Sequence, residues 1–247
     1  MLSACRQVVK GRKTRFGGRI GPQDAPCDHG AMADLQRSET PDDDRAASER
    51  LADEMRRIIQ RLAVVRPALE ALEEAAEAAA SFADQLDQLP ERDRGWEISE
   101  AGLMPRDFVS YSPISGRSNA VAPPVDLRVV DDGPEGPHIE GEVTFGPAYE
   151  GPPGHVHGGV VAAMFDELLG FAQMSPGFTA TMTVRYRRPT PLGRRLRLWA
   201  RVERTEGRKR TVRGTCELDG LLLSEAEGLF VAPRDGEDFL ARLGQLR

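Results

Sequence analysis

From residue 158 to 173 the chain reads as a helix that is apolar on nearly every side, and four strand-length segments separated by short turns follow it. A helix with no polar face has to be buried. Short turns oblige successive strands to run antiparallel, so the economical arrangement is one antiparallel sheet curled around that helix, an α+β architecture. Period-two alternation marks the strands. Ile139, Gly141, Val143 and Phe145 form one inward set, Ala180, Met182, Val184 and Tyr186 a second, and Leu196, Leu198, Ala200 and Val202 a third. Further strands are expected over 124–130, 209–218 and 221–231, with turns at Asp131-Asp132-Gly133, Glu206-Gly207 and Asp219-Gly220. A short helix over 235–246 is expected to close the chain.

The residues before this pattern are of a different kind. Residues 1–31 hold six basic side chains, from Arg6 to Arg19, before the first acid, Asp24. Such a segment is expected to be disordered. It resembles a mitochondrial presequence in being Arg-rich and acid-free. The preferred reading is that Met32 is the natural start and that the upstream residues are a non-native leader. Residues 32–95 form a helical extension. Thr40 suits an N-cap, Pro41 the first helical position, and Asp42 to Asp44 complement the dipole. Leu51, Met55, Ile58, Leu62, Val65, Leu69, Leu72, Ala76 and Ala79 alternate in steps of four and three, a stripe that seeks a partner helix or sheet face. Pro67 demands two helices or one bent helix. Residues 96–247 then carry the sheet and its buried helix.

Chemistry concentrates between His157 and Glu167. Gly158 and Gly159 expose backbone N–H groups where the buried helix begins, and free amides there bind developing negative charge. Asp166 interrupts the apolar run and is a candidate base, because an ionisable group among Val161, Met164, Phe165 and Leu169 needs a partner or a purpose. Hydrolysis of an ester or thioester suits that pair. The two groups are eight residues apart, about 12 Å along a helix, so they cannot act on one carbonyl from the same chain. Catalysis therefore implies a dimer in which each site takes its amides from one subunit and its acid from the other.

His157-Gly158-Gly159, with Asp166 nine residues after the histidine and Thr183-Val184-Arg185-Tyr186-Arg187-Arg188-Pro189 beyond, resembles the phenylacetate-degradation type of hotdog thioesterase. The resemblance covers roughly residues 120–232 and leaves the helical extension outside. It implies a hotdog fold, an acyl-CoA substrate, homodimers or homotetramers, and no cofactor or metal. Carried over residue by residue, it makes Asp166 the general base or nucleophile and the Gly158 amide the oxyanion contact from the opposite subunit, beside Gly159 and His157. Thr179 matches the Ser or Thr that helps position water. An Asn found six residues before the histidine in some members is Gly151 here, and His155 is the candidate replacement.

His155 and His157 have alternate spacing that could ligate a metal, but the expected role of His157 is to fix the turn by hydrogen bonding. Twelve basic residues against two acidic ones lie between Arg185 and Arg213 in a chain of net charge -6. That asymmetry suits an anionic partner, and Arg187, Arg188 and Arg194 around Pro189-Thr190-Pro191 are the candidate contacts to coenzyme A phosphates. Nucleic acid is disfavoured, since aromatics do not interleave the basic positions. No apolar run has membrane-spanning length. The three cysteines, Cys5, Cys27 and Cys216, lie in no paired spacing, so a reducing, cytoplasmic setting is expected. The leading expectation is an acyl-CoA thioesterase. The alternative is a non-catalytic hotdog acyl-CoA-binding or scaffolding protein acting through the N-terminal helices, with acyl-CoA hydration or dehydration third.

Overall fold

The computed structural model describes residues 41–91, 110–130, 136–175 and 177–234. The leader, the turn at Asp131 and the closing helix over 235–246 lie outside them. Helix α1 spans Pro41–Leu62 and α2 Leu69–Leu86. Strands β1 (Val125–Val130) and β2 (His138–Thr144) lead through a 3-10 turn at Pro147–Tyr149 into α3 (Gly158–Ala172). Four strands follow, β3 (Phe178–Tyr186), β4 (Arg195–Glu206), β5 (Lys209–Leu218) and β6 (Leu221–Val231).

All six strands join one antiparallel sheet in the order β1-β2-β4-β5-β6-β3. The chain can place β3 at the far edge because α3 carries it across the sheet before β4 returns to pair with β2. Asp219 and Gly220 turn β5 into β6 with φ of 51° and 79°. Both angles are positive, as the tightest hairpin turns require. Ile139, Val143 and Phe145, and Leu196, Leu198 and Ala200, are buried as their alternation predicts.

Helix α3 packs on the inner face of this sheet. Val161, Met164, Phe165, Leu168, Leu169 and Ala172 recur at helical spacing and are all buried. The opposite side differs from the sequence reading. There α3 presents Gly159, Ala162, Ala163, Asp166 and Gly170, and Asp166 is exposed within the protomer. Small side chains register as apolar in a hydropathy pattern, so an open strip of Gly and Ala was indistinguishable from a buried face.

A second expectation is corrected at β3. Ala180 and Tyr186 are exposed and Met182 and Val184 only half-buried. Edge position is the cause: among the described strands β3 ends the sheet and has β6 as its one strand neighbour. Phe178 and Tyr186, each 52% exposed, extend the open surface along that edge. Unprotected edges of this kind template pairing with another chain.

The extension forms two helices separated by residues 63–68, which hold Pro67. Its packing face is not the predicted stripe. Leu51, Ile58, Leu62, Leu69 and Leu72 stay exposed, and no residue of α2 is buried. Helix α1 instead turns inward the neighbouring face, with Ala52 and Arg56 buried and Ile59 and Gln60 half-buried. That face is held by hydrogen bonds from polar side chains, which no apolar count can register.

Candidate active site

The start of α3 is built by its own cap. His157 is the N-cap, with φ -61° and ψ 131°, and its Nδ1 accepts from the Gly159 N–H at 3.0 Å. The amides of Val160 and Val161 both donate to the His157 carbonyl. Among the described residues the Gly158 N–H has no acceptor, so the helix start leaves one free donor rather than two. Its position is fixed from both sides. The His157 N–H donates to the Tyr149 carbonyl at 2.9 Å, and the Tyr186 hydroxyl donates to the Gly158 carbonyl at 2.8 Å. Gly151 lies under the cap, where a Cβ would stand 2.7 Å from the His157 Cα. The Asn that the resemblance places at 151 therefore has no room unless His157 moves. At Gly158 a Cβ would meet Tyr186 only at 3.8 Å. Packing inside the protomer does not demand glycine there.

Two turns along the same open strip, Asp166 meets Thr179. The Thr179 hydroxyl donates to Asp166 Oδ1 at 2.7 Å. The β3 ladder is irregular between Thr179 and Thr181, and such an extra residue re-aims the side chains beside it. Strand β3 thus touches α3 at both ends, through Tyr186 at the free amide and through Thr179 at the carboxylate. Glu167, next in sequence, points elsewhere and accepts a hydrogen bond from the buried Ser115.

The basic turn lies against the histidine loop. The Val156 N–H donates to the Thr190 carbonyl at 2.8 Å, and the Leu192 N–H to Gly154 at 3.0 Å. His155 is half-buried, and its Nδ1 lies 2.9 Å from the Pro153 carbonyl oxygen. Each candidate arginine has a protein partner. Arg187 reaches Glu225 Oε1 at 3.0 and 2.5 Å, Arg188 the Leu222 carbonyl at 2.9 Å, and Arg194 Asp219 Oδ2 at 3.0 Å. Among the described residues no group of three His, Cys, Asp or Glu side chains is placed to hold a metal ion.

Glu225 is buried between Arg187 and Arg213, which reaches Oε2 at 3.1 Å. Hydrogen bonds from Arg187 hold its carboxyl below the usual glutamate range; burial opposes this and Arg213 reinforces it. A depressed folded-state value contributes stability above the unfolded value, near pH 4.3, which is lost as pH falls through the folded one. Urea midpoints of Glu225→Gln are therefore expected to lie below wild type at pH 7, with the gap narrowing as pH falls below about 4. A constant gap between the two would remove this assignment.

The sequence profile of the Thioesterase superfamily matches residues 153–219, from the histidine loop through α3 and the strands to the end of β5. A solved structure described as a thioesterase superfamily protein is 36% identical, with 74% of this chain and 90% of that chain covered and a TM-score of 0.63. The chain belongs to the thioesterase superfamily. Its sheet wrapped on α3 is the hotdog arrangement. The acyl-coenzyme A thioesterase THEM4 of Xenopus laevis is 40% identical over 93 residues, 35% of this chain and 41% of the relative. THEM4 of Bos taurus is 34% identical over 90 residues, 35% and 37%. This thioesterase-superfamily chain thus spans about two fifths of the length of the curated relatives it matches. Among its described residues no helix is long and apolar enough to cross a membrane.

Two contacts of this site had no signal in the sequence. Tyr186 stood in the family motif and in the inward set of β3 with no role at the site, whereas Ser115 stood in no motif at all. A hydroxyl or amide that reaches a backbone group from another element leaves no periodic trace.

Proposed function

We propose that the chain hydrolyses the thioester of an acyl-CoA, releasing the free acid and coenzyme A, at sites shared between two copies. The observation that carries this reading is the pairing of Asp166 with Thr179 on the same open strip as the one unpartnered amide of the helix start. A strip of Gly and Ala lets a second α3 approach closely. The open β3 edge beside it offers backbone pairing. Antiparallel pairing of the two helices would set the Gly158 amide of each copy near the carboxylate of the other, which spans the separation of about 12 Å on one helix.

In this mechanism the substrate carbonyl oxygen accepts from the Gly158 N–H of one copy. Asp166 of the other takes a proton from water, and the hydroxide adds to the carbonyl carbon. Thr179 fixes the carboxylate through Oδ1 and leaves Oδ2 for the water. The amide dipole stabilises the tetrahedral oxyanion, the C–S bond then breaks, coenzyme A departs as a thiolate that picks up a proton from solvent, and Asp166 returns the proton it took to solvent. Direct attack by Asp166, with an anhydride intermediate, is the alternative order of events. His157 holds the helix start by engaging the Gly159 amide. Among the described residues Arg188 and Arg194 are each engaged through one nitrogen, which leaves N–H groups for the coenzyme A phosphates, while Arg187 is committed through two nitrogens to Glu225; His155 contacts the substrate from the loop beside them. The reaction needs no metal or organic cofactor, and we place it in the cytoplasm, in a homodimer or a dimer of dimers.

The shared site has a decisive test. Gly158→Pro removes the free N–H at the first helical position, where proline is well tolerated, and Asp166→Asn removes the base. Each alone is expected to be inactive towards a panel of acyl-CoAs by thiol release. Unfolded and refolded as an equimolar mixture, the two should recover about a quarter of wild-type turnover, because half the dimers are hybrids with one intact site. No recovery in the mixture would place donor and base in one subunit. Acyl-CoA affinity without turnover by the wild type would favour the scaffolding reading instead.

A further inference from the structure

Helix α1 touches the rest of the molecule through side chains that lead to the two working ends of α3. Gln60 is the first. Its Oε1 accepts from the Ala148 N–H at 2.9 Å, in the 3-10 turn, and its amide fills the space a Cβ on Gly146 would need. The next residue of that turn, Tyr149, offers the carbonyl that holds the His157 N–H at 2.9 Å, one residue before the free Gly158 amide. The Tyr149 ring is locked edge-on against Phe145, centroids 5.7 Å apart, and its hydroxyl donates to the Val121 carbonyl at 2.8 Å.

Arg56 is the second. Its buried guanidinium donates to the carbonyls of Ala122 at 2.7 Å, Asn119 at 3.0 Å and Arg117 at 3.3 Å, and pairs with Asp53. Those carbonyls belong to an irregular strap, residues 110–122, which has no ladder of its own to fix it. The strap's Ser115 hydroxyl donates to the Glu167 carboxylate, one residue beyond Asp166.

We infer that α1 is a positioning element of the hydrolytic site, with Gln60 setting the oxyanion end of α3 through Ala148, Tyr149 and His157, and Arg56 setting the Asp166 end through the strap. This rests on the function proposed above. The segment outside the thioesterase profile match is then part of the site's geometry, and neither residue touches substrate. A buried arginine shared among three carbonyls and a side-chain amide in place of a backbone partner define directions, where an apolar contact would define only distance.

The test uses the full chain with Gln60→Leu, which keeps the shape and removes the acceptor, and Gln60→Glu, which keeps an acceptor. Gln60→Leu is expected to lower kcat on acyl-CoA about tenfold with KM within about twofold, since a small misplacement of a donor acts on the transition state. Gln60→Glu should restore kcat to within about twofold of wild type. Arg56→Lys, a point charge that cannot span three carbonyls, should lower kcat similarly. Circular dichroism and Tm report whether α1 stays folded. Amide hydrogen exchange at His157 gives a readout independent of turnover, and in Gln60→Leu it should quicken about tenfold. Unchanged kcat in Gln60→Leu, a change confined to KM, or no recovery in Gln60→Glu would overturn the inference. Wild type without turnover would overturn the proposed function instead, and the exchange rates would then decide the role of α1 alone: faster exchange sustains it and unchanged exchange ends it.

Discussion

Asp166→Asn is expected to lower kcat for acyl-CoA hydrolysis by about three orders of magnitude, the middle of the range for a positioned general base. Asparagine retains an oxygen that can accept from Thr179, so the local hydrogen bond survives while basicity is lost. The carboxylate is exposed within the protomer and contributes nothing to the core, so Tm should stay within a few degrees of wild type. KM should move little, because the carboxylate acts on water rather than on the acyl chain. Steady-state thiol release checks kcat and KM, and thermal unfolding checks Tm. Retention of more than about a tenth of wild-type kcat would remove Asp166 from the reaction.

The second large effect concerns stability. Phe165 is fully buried on the inner side of α3, next to Asp166 in sequence and about 100° round the helix from it. Phe165→Ala deletes the ring and leaves a cavity under the helix, which should destabilise the fold by about 3–5 kcal/mol. For a chain of this size that is a fall in Tm on the order of 10 °C. Phe165→Leu keeps most of the volume and should lose markedly less. Urea unfolding would show both. Equal losses in the two variants would mean that the ring, and not the filled volume, is what the site requires. These neighbouring residues thus divide the helix: one side anchors it and the other carries the chemistry.

How far this could be read from the chain differs from element to element. Strands β5 and β6 were legible to the residue, because alternation and a positive-φ turn bound them on both sides. The start of α3 was legible too, since two glycines after a histidine interrupt any continuing strand. Strand β3 was located correctly but misjudged in burial. Its alternation says which side faces a helix and is silent on whether a neighbour covers the edge. In α1 the hydropathy stripe pointed to Leu51, Ile58 and Leu62, whereas the protomer buries the adjacent face through Arg56 and Gln60.

The chain alone determined the order of its elements, the single helix across the sheet, and the presence on that helix of one acid and one glycine start. Those follow from periodicity and backbone preference, which are local. Packing decided the rest. It turned Thr179 onto Asp166, occupied the Gly159 amide and spared that of Gly158, committed Arg187 to Glu225, and set α1 over the strap and the 3-10 turn. A hydrogen bond between distant segments depends on the angle at which two elements meet, and that angle exists only once the core has formed.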